Sequence, residues 1–134
     1  MPLATAADVE RFADLLTECA DAIHQRLIAA IRAAEVNPFT AQQILQDEAT
    51  LRQRANGLYM DAAQCIVADL GDDQINLNEV IREAGTRITE ISKIAHFIDI
   101  VSDLLVVVSS VYAAQPGPIL AALHDIQQDI DTIT

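Results

Sequence analysis

Residues 76–114 read NLNEVIREAGTRITEISKIAHFIDIVSDLLVVVSSVYAA. No proline interrupts them, so they can carry one helix about 58 Å long at 1.5 Å of rise per residue. Ile81, Ala84, Ile88, Ile91, Ala95, Ile98, Ser102, Leu105, Ser109 and Tyr112 recur at alternating steps of three and four, a heptad-like seam. From Ile94 a second seam runs beside it through Phe97, Val101, Leu104, Val108 and Val111. Two adjacent seams call for helix neighbours on two sides. Only Ser92, His96, Asp99 and Asp103 remain for water, and beyond Asp103 that stripe continues as Val106, Val107 and Ser110. A helix apolar all round is enclosed by protein or by lipid.

Three further helical segments flank this one. Residues 6–35 have Thr5 as N-cap, with Asp8 at the third helical position, and an apolar stripe through Val9, Phe12, Leu16, Cys19, Ile23, Leu27 and Ile31. Asn37-Pro38 stops them. Residues 40–70 start at Thr40 with Gln43 at capping-box spacing, and Asn56-Gly57 is a weak point in their middle. Gly71-Asp72-Asp73 ends that segment, and Asn76 with Glu79 caps the long third helix. After Gln115-Pro116-Gly117-Pro118 comes a short fourth helix, residues 118–133, with its seam at Ile119, Leu123, Ile126, Ile130 and Ile133. The expected architecture is all-α: an antiparallel up-down bundle of four helices, residues 1–134 forming one domain. The third helix outruns the fourth, so part of it should need covering by a second copy or a partner helix.

Composition narrows the function. The 134 residues are 51% hydrophobic and 21% charged, too apolar for a disordered chain. Twenty acidic residues against eight basic ones give a net charge of −12, and no basic residue follows Lys93. Such a chain repels nucleic-acid phosphates and anionic lipid, and attracts a basic partner. Cys19 and Cys65 form no CxxC pair and read as buried free thiols of a reducing compartment, which points to the cytoplasm.

Motifs for chemistry are sparse. Asp21-x-x-His24 has the spacing of di-iron bundles, but no second such pair exists, so neither a metal nor another cofactor is expected. A metal-dependent bundle enzyme is therefore the weakest reading. Asp72-x-Gln74-x-Asn76 with Glu83 echoes a calcium loop, yet Leu77 stands where that loop needs glycine. His96, Asp99 and Asp103 share a face, as an acid–base pair would, but the favoured reading is a solvated stripe of a mostly buried helix. Arg52 and Arg54 read as counterions to Asp47 and Glu48. No nucleophile elbow, phosphate-cradling glycine loop or Cys–His motif appears, so the chain is expected to be non-enzymatic.

Residues 104–123 carry no charge at all. Pro116-Gly117-Pro118 breaks them into arms too short to span a bilayer, although a hairpin could insert as part of an oligomer. The favoured reading is an acidic interaction domain that neutralises or escorts a protein, comparable in size and charge to immunity proteins, antitoxins, chaperones and adaptors. Val106, Val107, Tyr112 and Ile119 are the expected apolar patch, and Asp99, Asp103, Asp125 and Asp129 its acidic surround. A homodimer is expected to cover the same face. The alternative is a membrane-active subunit inserting residues 104–123.

Overall fold

The computed structural model describes residues 3–67 and 73–133, and within them the chain is all-helical. The described residues form five α-helices rather than four: α1 (Ala6–Arg32), α2 (Pro38–Met60), α3 (Asp73–Ile88), α4 (Ile94–Tyr112) and α5 (Pro116–Ile133). A short 3-10 turn, Ala62–Cys65, follows α2.

The first helix starts as its sequence dictates. Thr5 Oγ1 accepts from the Asp8 amide at 3.1 Å. It ends three residues earlier than expected, at Arg32, because Ala34 turns into the left-handed region at φ 55°. The cap of α2 is Asn37, whose side chain accepts from the Thr40 amide at 2.7 Å, and Pro38 opens the helix. The expected Thr40 cap is therefore the bonded partner, not the capping residue. Asn56-Gly57 does not interrupt α2, but the helix stops at Met60 instead of reaching residue 70. The stop expected at Gly71-Asp72 lies outside the described residues. α3 begins at Asp73, ahead of the expected Asn76 cap.

The main departure is the long third helix, which is two helices. Residues 89–93 leave the helical path, with Glu90 N closing a turn on the Arg87 carbonyl at 2.9 Å. Thr86 Oγ1 donates back to the Arg82 carbonyl and Thr89 Oγ1 to the Thr86 carbonyl, at 3.1 and 3.4 Å. Hydroxyls that bond locally in this way compete with the helix ladder. The heptad pattern survives the break because Ile91 is still buried, at 3% exposure, as an anchor of the connection. Dividing the helix also removes the length mismatch. At 18 residues, α5 is nearly as long as the 19-residue α4, not a short terminal helix.

The packed pairs α1–α2, α2–α4, α4–α5, α5–α3 and α3–α1 close a ring around one core. Phe12 and Leu16 of α1, Ile81 of α3, Phe97 and Leu104 of α4 and Ile126 of α5 are fully sealed there. At the α1–α3 crossing the helices come close. A Cβ on Gly85 would lie 3.2 Å from Cys19 Sγ, and the thiol donates to the Ile81 carbonyl at 3.4 Å. Burial pushes that thiol up to about 12. Both cysteines are buried and free.

Two charged side chains are buried among the described residues, Arg26 and Glu48, and both tie helices together. Glu48 accepts from Arg52 Nε at 3.0 Å and sits 2.9 Å from His24 Nδ1. Arg52 also reaches Asp21 at 2.9 Å. Asp21 and His24, the pair with metal-site spacing, are thus engaged with α2.

Candidate functional site on the outer face of α4 and α5

Residues 113–115 join α4 to α5, with Ala114 at φ 54° ending the first helix and Pro116 opening the second. The core side of α4 is set by Phe97, Ile100, Val101, Leu104, Val107, Val108 and Val111, all buried. Beyond Asp103 its opposite side carries no charge. Val106 projects there, 53% exposed, in a shallow depression of about 390 Å³ lined also by Leu105, Ser109, Ser110, Ala113 and Pro118. Ser110 Oγ bonds back to the Val106 carbonyl at 2.8 Å, so its hydroxyl does not advertise a free donor.

The eight residues expected to form a partner surface divide cleanly. Val106 is on the surface, whereas Val107 and Ile119 are sealed in the core at 0% exposure. They support the face from beneath and cannot touch a partner on the folded chain. Tyr112 is a structural anchor. Its hydroxyl donates to Asp61 Oδ2 at 2.7 Å, and the Arg54 guanidinium lies 5.7 Å from its ring centroid. A Cβ on Gly57 would come 2.7 Å from its ring edge, so the glycine lets the ring rest on α2. This role of Arg54 and Asp61 was not visible in the sequence. The signal that could have found it was Gly57, since a glycine inside a helical pattern often marks a close approach.

The four aspartates do converge. Asp99 and Asp125 are exposed, and Asp103 and Asp129 are half-buried. Asp103 feels Asp129 and then Asp125 across the seam between the two helices, and Asp99 along its own helix. Burial is the largest cause, followed by a carboxyl–carboxyl hydrogen bond with Asp129, of a carboxyl pushed up to about 8. The Oδ2 atom of Asp103 is fully buried with no conventional partner. The two observations agree once a proton is placed between the carboxyls, because two ionised carboxylates can only accept.

Among the described residues no group of three His, Cys, Asp or Glu side chains is placed to hold a metal ion. A second surface hollow of about 710 Å³ lies over Gln53, Arg54, Asn56, Gly57, Met60 and Tyr112. Its aromatic and cationic members are already paired with one another. No protein-family model, curated protein or solved structure matches the chain.

Proposed function

We propose that this chain is a non-enzymatic protein-interaction domain that takes a basic partner on the outer face of α4 and α5 and neutralises or escorts it. The observation that carries the reading is the position of Val106. It is an exposed, uncharged apolar side chain one helical turn beyond Asp103, whose carboxyl feels Asp129, Asp125 and Asp99. Charge steers a basic segment to such a face, and the apolar contact supplies the affinity that exposed charges alone do not. The free, buried thiols favour a reducing compartment, and we place the domain in the cytoplasm on that ground.

The test is co-purification from the native host with the wild type, Val106→Asp and an Asp99→Asn/Asp125→Asn double variant. A basic protein held by the wild type, lost with Val106→Asp and weakened by salt supports the reading. A partner whose retention ignores both variants sinks it. Sedimentation of the isolated chain separates a second copy as occupant from a foreign one, since only the former changes mass with concentration.

A second reading is favoured by α4 itself. The helix is 19 residues long with a mean hydropathy of 1.9 and is only 39% buried over its most apolar window. A membrane-active subunit would expose it to lipid. Flotation with neutral vesicles at pH 7 and pH 5 tests this, and absence of bound protein at both pH values removes it.

A further inference from the structure

We propose that the seam between α4 and α5 is a proton-operated clasp: Asp103 and Asp129 hold one proton between their carboxyl groups, and losing it loosens α5. The inference is independent of any partner.

The geometry comes first. A carboxylate oxygen stripped of water and hydrogen bonds is costly, yet Asp103 Oδ2 is fully buried with no conventional partner. A neutral carboxyl resolves this by donating across the seam to Asp129. On α4, Asp99 is one turn away and His96 about two turns away on the same helix. On α5 the neighbour is Asp125, and no Lys or Arg follows Lys93 in the chain. Four cations on the helices packed against α4 are engaged elsewhere. On α2, Arg52 is paired with Glu48 and Asp21, and Arg54 lies over Tyr112. On α1, Arg26 is paired with Glu35, and on α3, Arg87 with Glu83. The charges that act on Asp103, those of Asp129, Asp125 and Asp99, are all negative.

The direction of the pH effect follows. The Asp103 carboxyl is raised in the folded chain to about 8, from an ordinary 3.8. A raised group holds its proton more tightly folded than unfolded. Its stabilising effect is full below the ordinary value and drains away as pH rises through the folded one.

The experiment follows the carbon-13 carboxyl shifts of Asp103 and Asp129, with Tm between pH 6 and 9, for wild type, Asp103→Asn and Asp129→Asn. Asparagine keeps the shape and can still bond across the seam, so both variants should fold. In the wild type, one carboxyl of the pair should stay protonated at pH 6, and Tm should fall as pH rises to 9. Protection of α5 amides, corrected for intrinsic exchange, should drop more than tenfold over the same range. In both variants Tm and protection should be nearly flat, while an Asp99→Asn control keeps the wild-type slope. The clasp is overturned if both wild-type carboxyls titrate in the ordinary range. It is equally overturned if α5 protection does not change, or if the slope persists undiminished in both variants.

Discussion

Arg26 on α1 donates from Nε to the backbone carbonyl of Ile91 at 2.9 Å, across 65 residues of sequence. That carbonyl belongs to the connection where the helical ladder is broken between α3 and α4, so it has lost its helical donor. The same guanidinium holds Glu35 with two bonds of 3.1 and 3.3 Å and lies 5.5 Å from the ring centroid of Phe97. One buried side chain thus fastens the end of α1, the α3–α4 corner and the start of α4.

Removing it should be costly. Arg26→Met keeps much of the packing but strands the Ile91 carbonyl and frees the exposed Glu35 carboxylate. The expected loss is about 3 kcal/mol of unfolding free energy, in the range for breaking a buried charged hydrogen-bond network. Lysine at this position should recover little, because it lacks the planar fork. Urea unfolding followed by circular dichroism measures both. A loss within about 0.5 kcal/mol for Arg26→Met would mean the corner holds without it.

The two left-handed alanines should be improvable. Ala34 and Ala114 carry φ values of 55° and 54° just past the ends of α1 and α4. A Cβ in that region costs about 1 kcal/mol relative to glycine, partly offset by the greater freedom of glycine in the unfolded chain. Ala34→Gly and Ala114→Gly should each raise stability by about 0.5 kcal/mol. A lower thermal midpoint in either variant would show that packing of the methyl outweighs the backbone term.

Gly57 and Tyr112 should be strongly coupled. Gly57→Ala in an ordinary mid-helix position gains about 1 kcal/mol, but here the new methyl meets the tyrosine ring at 2.7 Å. The single variant should therefore be destabilised. In a Tyr112→Ala background the same substitution should become stabilising. A double-mutant cycle reads this reversal of sign directly, and simple additivity would refute the contact.

Neighbouring valines should behave oppositely. Val106→Asp is expected to change stability by no more than about 0.5 kcal/mol, because the side chain already faces water. Val107→Asp buries an unpaired charge in the core and should unfold the domain, at a cost above about 4 kcal/mol. Circular dichroism at 25 °C distinguishes the two. A folded Val107→Asp protein would show that α4 can rotate about its axis.

Cys19 should be silent until the fold opens. With its thiol pushed up to about 12 by burial and sealed from solvent, alkylation at pH 8 should be slow and should follow the urea unfolding curve. Mass spectrometry of trapped samples provides the reading. Rapid labelling without denaturant would mean that the crossing of α1 and α3 breathes locally.

Much of the helical content was legible because apolar residues recur at the right steps, as from Val9 through Leu27 of α1. Thr5 and Asp8 announced the start of that helix. What periodicity could not reveal was the break between α3 and α4. Ile91 occupies a seam position whether it lies in a helix or in a buried corner, and its true setting depends on Arg26, far away in sequence. The candidate face was half legible. The steps of four between Asp99 and Asp103, and between Asp125 and Asp129, put each pair on one side of its helix. That the two pairs meet depends on the register of α5 against α4. Val106 and Val107 are adjacent and equally apolar, and only packing decides that one is core and the other surface.

The corner between α3 and α4 has a practical consequence for dissecting the molecule. Lys93 is the sole lysine of the chain, exposed and in extended backbone just ahead of α4. A lysine-specific endoprotease therefore has one place to cut, at the type of exposed non-helical site such enzymes prefer. The nicked protein would consist of residues 1–93 and 94–134. Reassembly of the two pieces would then become a titratable reaction, in which the grip of the first three helices on the last two could be weighed in isolation.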